Sequence, residues 1–148
     1  MNTTPTAKTI EILLVEDNPG DVNLTRLALE DSKVQVNLNV VEDGIEALAF
    51  LKKEGKYDSA ADIDLILLDL NLPKKDGREV LVEIKADRTL RQIPVVILTT
   101  SKAQEDIFEA YQQFANCYIT KPLEFDRFVE IVQSIGEFWF EIVKLPLE

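Results

Sequence analysis

Five polar residues close four apolar runs. Glu16 and Asp17 follow IEILLV (10–15), and Asp69 stands near the end of LILLDL (65–70). Thr99 ends the apolar part of IPVVILTTS (93–101), and Lys121 follows CYIT (117–120). If the runs are strands of one parallel sheet, their carboxyl ends lie on one edge. Three carboxylates, a hydroxyl and an ammonium then meet in one place. Crowded carboxylates repel one another, and a hard divalent cation with oxygen ligands, Mg²⁺ or Mn²⁺, relieves that repulsion. With Lys121 as a second positive charge and Thr99 as a hydroxyl, such a site suits an incoming phosphoryl group, whose oxygens need neutralising during in-line transfer. Asp69 is the candidate nucleophile, because an aspartate carboxylate can form an aspartyl phosphate. Alone, Asp69 would read as a helix cap; its companions give it chemistry.

The intervening segments must position these ends. IEILLV, apolar but for Glu11, reads as a buried strand, and LILLDL, apolar but for Asp69, as a strand covered on both faces by helices. VQVNLNVV (34–41) alternates, with Val34, Val36, Leu38 and Val40 on one side and Asn or Gln on the other, which predicts a half-exposed strand near a sheet edge. Helical spacing recurs at 22–31, 43–53, 77–87, 103–114 and 124–143. Pro19 and Asp21 suit the start of the first helix, and Ile45, Leu48 and Leu51 are expected on the buried stripe of the second. EGKYDSAADID (54–64) reads as a polar surface loop. Strands alternating with helices predict an α/β domain: a three-layer, doubly wound (βα)5 flavodoxin-like fold around a five-stranded parallel sheet of order 2-1-3-4-5. Residues 1–9 read as a flexible lead-in and 10–148 as a single domain with an extended C-terminal helix and tail.

Composition narrows the function classes. The 148 residues include no histidine and a single cysteine, Cys117, so His-based triads, His-ligated metals and intrachain disulfides are excluded. A net charge of −11 opposes direct nucleic-acid binding. No apolar run approaches membrane-spanning length, and the N-terminus lacks a signal-peptide core, so the expected location is the cytoplasm.

ILLVEDN, LILLDLNLPKKDG, VVILTTS and YITKP together resemble the receiver domain of two-component response regulators, in order and in spacing: Thr99 follows Asp69 by 30 residues and Lys121 follows Thr99 by 22. The resemblance runs from residue 10 to about 135. It implies that Asp69 is the phosphoacceptor, that Asp17 binds Mg²⁺, that Glu16 orients a metal-bound water, and that Asn71 offers its backbone carbonyl to the metal. It further implies that Thr99 and Lys121 contact the phosphoryl oxygens and that Thr99 and Tyr118 form the switch pair. The donor would be a sensor histidine kinase. Glu16 departs from the commoner Asp at its position.

A narrower resemblance, carried by DLNLPKKDGREVL, NCYITKPL and IGEFWFEIVKLP, is to small stand-alone regulators paired with cyanobacterial phytochrome histidine kinases. It implies a bilin-bearing, light-sensing donor. The last helix carries Phe125, Phe128, Val129, Val132, Ile135, Trp139 and Ile142 at helical spacing, more apolar surface than one core face requires. A homodimer through that helix and the face of the fourth helix and fifth strand is therefore expected, with output passed on by a partner rather than an attached DNA-binding domain. Two other readings are weaker. A haloacid-dehalogenase-like phosphohydrolase wants an acid two residues after its nucleophile, where this chain has Asn71. A flavodoxin-like binding module wants a Gly- or Ser/Thr-rich phosphate loop, where this chain has EDNPGD.

Overall fold

The structure, a computed structural model, describes residues 9–30, 35–99, 117–120 and 130. Five strands are formed: β1 (Ile10–Val15), β2 (Val36–Val41), β3 (Leu65–Asp69), β4 (Val95–Thr99) and β5 (Cys117–Thr120). All neighbouring pairs are parallel, and the order is β2-β1-β3-β4-β5. Three helices connect the described strands: α1 (Pro19–Glu30), α2 (Gly44–Lys52) and α3 (Gly77–Ala86). The sequence-predicted helices at 103–114 and 124–143 lie outside the described residues, apart from Glu130, which is helical and exposed.

Period-2 side-chain alternation splits the core into two layers. Ile10, Ile12 and Leu14 of β1 face one side with Leu65, Leu67, Val96 and Leu98, and α1 closes that side with Ala28 and Leu29. Leu13 and Val15 face the other, with Ile66, Leu68 and Ile97, and α2 and α3 close it through Leu48, Leu51, Val80, Leu81 and Ile84. The central strand β3 is buried along its whole length, which is why its sequence shows no polar alternation. Edge strand β2 does alternate. Its outward Asn37 and Asn39 amides both donate to Glu11 Oε1, at 3.0 and 3.1 Å. That cross-strand grip ties the edge to β1.

Two expectations need correction. Ile45 does not join the buried stripe of α2; it is 55% exposed, and Gly44, Ala47 and Phe50 lie inward with Leu48 and Leu51. Gly44 packs against the neighbouring β3–α3 loop, and that close approach sets the rotation of the helix and turns position 45 outward. The segment 54–64 is also more than a polar loop. It contains a 3₁₀ turn, Gly55–Tyr57, and buries Ile63. Tyr57 stacks at a tilt on Phe50, with ring centroids 5.1 Å apart, and donates its hydroxyl hydrogen to Glu46 Oε1.

This bond, with help from Lys56, holds the Glu46 carboxyl below its ordinary value of 4.5. A lowered carboxylate value contributes stability above the unfolded-state value and loses it as pH falls through the folded one. Tyr57→Phe is therefore expected to destabilise the protein at pH 7, with the difference from wild type shrinking below pH 4.5. Urea unfolding at both pH values checks this; a deficit independent of pH would assign the loss to packing alone.

Candidate functional site at the carboxyl edge of the sheet

The ends of β1 and β3 each deliver their candidate residues by a local device. β1 stays paired one residue beyond its end, since the Glu16 amide donates to the Val41 carbonyl at 3.0 Å. That bond draws Glu16 inward, where the residue is 1% exposed, while Asp17 faces solvent. Asn18 then starts α1: its carbonyl accepts from Val22 at 3.0 Å and its Oδ1 accepts from Asp21 at 3.0 Å. Pro19 takes the first helical position, where a missing amide hydrogen costs nothing. Glu16 Oε2 accepts from the Asn18 amide at 3.2 Å, so the acid pair and the helix start brace each other.

Asp69 is the last residue of β3 and only 3% exposed. Its Oδ1 accepts the Asn71 amide hydrogen at 3.0 Å, which orients the carboxylate and turns the chain out of the sheet. Val15 is level with Leu68, so Glu16 and Asp69 come out side by side. Glu16, Asp17 and Asp69 each bring a carboxylate oxygen to a common spot, all within 4.8 Å of one another. Three hard oxygen donors at that spacing, with open solvent on the Asp17 side, are chemically suited to Mg²⁺ or Mn²⁺.

The other predicted site residues are placed by register. Thr99 ends β4 and pairs with Thr120 at the end of β5, and Leu98 pairs with Asp69. Tyr118 pairs with Ile97 in the middle of β5. Lys121 lies outside the described residues; in the sequence it follows directly on Thr120. Asn71 stands in the loop after β3, with its amide on Asp69 as above.

The residues that frame the site were not singled out by sequence reasoning. Asp43 and Asp76 each cap a helix, at α2 and α3, and each precedes a glycine. The repeated Asp-Gly-x-Glu at 43–46 and 76–79 is the signal that was available. Both glycines make a close approach. A Cβ on Gly77 would overlap the Asp69 carbonyl oxygen and lie 2.7 Å from Leu70 Cα.

A parallel 2-1-3-4-5 sheet with an acid cluster at its carboxyl edge agrees with the architecture expected of a receiver domain. Residues 12–133 match the response regulator receiver domain, and the chain belongs to that family. Among curated proteins it is 47% identical to the response regulator Rcp1 of Synechocystis sp. over 135 residues, 91% of this chain and 92% of that one. Among solved structures it resembles the phosphorylated cyanobacterial phytochrome response regulator RcpA, at 52% identity and TM-score 0.76, covering 90% of this chain and 96% of that one. It also resembles the Mn²⁺-bound form of Rcp1, at 46% identity and TM-score 0.75, with 90% and 96% covered. The protein is thus a receiver-domain signalling protein related to phytochrome response regulators. Among the described residues, no helix is long and apolar enough to cross a membrane.

Proposed function

We propose that this protein is a stand-alone phosphoacceptor in a two-component relay, with Asp69 receiving a phosphoryl group from a phosphohistidine on a sensor kinase. The observation that carries the reading is the meeting of Glu16, Asp17 and Asp69 at the carboxyl edge of the sheet, with Asp69 fixed by the Asn71 amide. In the transfer, an Asp69 carboxylate oxygen forms the new O–P bond as the donor's P–N bond breaks. The donor imidazole keeps the bonding pair and takes up a proton. Asp17, Asp69 and the Asn71 carbonyl would hold Mg²⁺ or Mn²⁺, with Glu16 acting through a water. The bound ion supplies charge neutralisation for the transferring phosphoryl oxygens. Lys121 and Thr99 would serve the same oxygens. The rigid, fully buried β3 behind Asp69 keeps the nucleophile in line.

Phosphorylation adds charge and strong acceptors at Asp69. Thr99 and Tyr118 respond as the switch pair, and the surface of segments 103–114, 117–120 and 124–143 becomes the readout, where a second copy of the chain docks. Residues 10–148 act as one domain in this reading, and its place is the cytoplasm. The likeness to RcpA, a cyanobacterial phytochrome response regulator, supports a phytochrome-type kinase, bilin-bearing in this reading, as donor.

The test is phosphotransfer profiling against the histidine kinases of the source organism, with light and dark samples for photoreceptor kinases. Labelling is expected from one kinase in preference to the others, with its yield altered by light. It is expected to stop on chelation with EDTA and return with added Mg²⁺. Labelling that survives chelation would sink the metal-assisted mechanism, and equal labelling in light and dark would sink the phytochrome pairing.

A further inference from the structure

The six residues between Leu70 and Gly77 form a loop pinned at three places. At its base, the Gly77 amide donates to the Leu70 carbonyl at 3.1 Å. At its tip, the Lys75 amide donates to the Pro73 carbonyl at 2.7 Å, across Lys74 at φ 66°. A bond of this span over a positive φ is a strained γ-turn, and lysine lacks the freedom that would let glycine adopt it cheaply. On its outer side, the tip rests on the first turn of α2. A Cβ on Gly44 would overlap the Lys75 carbonyl oxygen and lie 2.7 Å from Val80 Cγ2. Beside it, Lys74 Nζ is 3.5 Å from Asp43 Oδ2. The other Asp43 oxygen caps α2, accepting the Glu46 amide hydrogen at 2.8 Å.

Strained backbone persists only where its surroundings over-determine it. Here the surroundings are the start of α2, an element that contributes none of the acids. We infer that Asp43 and Gly44, through the loop tip at Lys74 and Lys75, are positioning residues for the metal centre, fixing the loop that carries the Asn71 carbonyl. This rests on the metal-binding reading of Glu16, Asp17, Asp69 and Asn71 given above. The reasoning is mechanical. Gly77 fixes the base of the loop against β3, so a displaced tip must be absorbed within residues 71–76. The Asn71 peptide lies in that span, two residues before the strained turn begins at Pro73. Outer-shell groups of this kind hold ligand atoms in place and set the affinity of the site.

The test is Mn²⁺ titration of the full chain by isothermal calorimetry, comparing wild type with Gly44→Ala and Asp43→Asn. Alanine at the first helical position improves helix propensity, so any loss in that variant reports the overlap with Lys75. Asparagine keeps the helix cap and removes only the charge facing Lys74. Gly44→Ala is expected to weaken Mn²⁺ binding about 10- to 100-fold. Asp43→Asn is expected to weaken it about two- to fivefold, because Lys74 is largely exposed and such pairs are weak.

Titrations are run well below each melting midpoint, so a loss of folded protein cannot mimic a loss of affinity. Hydrogen exchange of the metal-free protein adds a second readout: the amides of Asn71, Leu72, Lys74 and Lys75 should exchange faster in Gly44→Ala while those of β1 and β3 do not. A Gly44→Ala protein that binds as tightly as wild type overturns the inference. Should that variant not fold, unchanged affinity in both Asp43→Asn and Lys74→Ala overturns it instead. A wild-type chain that binds no Mn²⁺ overturns the metal-site reading itself, a result distinct from both.

Discussion

Asp69→Asn is expected to reduce phosphoryl labelling to background while leaving a folded protein that is more stable than wild type in the presence of a chelator. The two effects have separate causes. Asparagine lacks the carboxylate that would form the O–P bond. The asparagine side-chain oxygen can still accept from the Asn71 amide, so the turn after β3 survives. Glu16 and Asp17 meanwhile lose a like charge from a group spanning at most 4.8 Å. At that range, in a partly buried site, relief of about 1–2 kcal/mol is expected. Radiolabel transfer and urea unfolding in EDTA read the two effects. Persistent labelling would remove Asp69 as the acceptor. A variant less stable than wild type in EDTA would mean that the acids do not strain one another.

Gly77→Ala is expected to destabilise the protein by about 3 kcal/mol, a cost in line with forcing an extra methyl into a packed site. Helix propensity alone would suggest the reverse, since alanine is the better residue inside a helix. Packing wins because the added Cβ would meet backbone, the Asp69 carbonyl oxygen and Leu70 Cα, which cannot rotate away as a side chain could. To make room, α3 must retreat from β3, or β3 must bend at Asp69. Either displacement also disturbs the Gly77–Leu70 bond at the base of the loop. Phosphotransfer per folded molecule should therefore fall together with the urea midpoint. A variant with wild-type stability would show that the contact relaxes freely.

Gly44 and Gly77 share a sequence context, and so do the glutamates that follow them. Glu79 completes a capping box, its Oε1 accepting the Asp76 amide at 3.3 Å. Glu46 holds the same position in its own motif, yet its carboxylate is taken by Tyr57 from the loop beyond α2. Local sequence could not separate the two cases, because the competing partner is supplied by tertiary packing. The same holds for Ile45, whose spacing suited a buried stripe. The close seat of Gly44 on the β3–α3 loop sets the rotation of α2, and that seat is invisible in the helix's own pattern.

Local chemistry in the sequence was enough to locate the strands and the polar residues at their ends. The mostly apolar runs in β1, β3 and β4 and the alternation in β2 each report how many faces of a strand are covered, and burial is a property that every residue records for itself. The parallel topology follows from strands alternating with helices, and it carries Glu16, Asp17, Asp69 and Thr99 to a single edge. Tertiary structure decided what depends on two distant segments at once. It drew Glu16 inward through its bond to Val41, brought the three carboxylates to within 4.8 Å, and pressed the start of α2 onto the loop behind Asp69. Those distances depend on strand register and on the close packing of elements tens of residues apart, and no window of sequence holds both partners of such a contact.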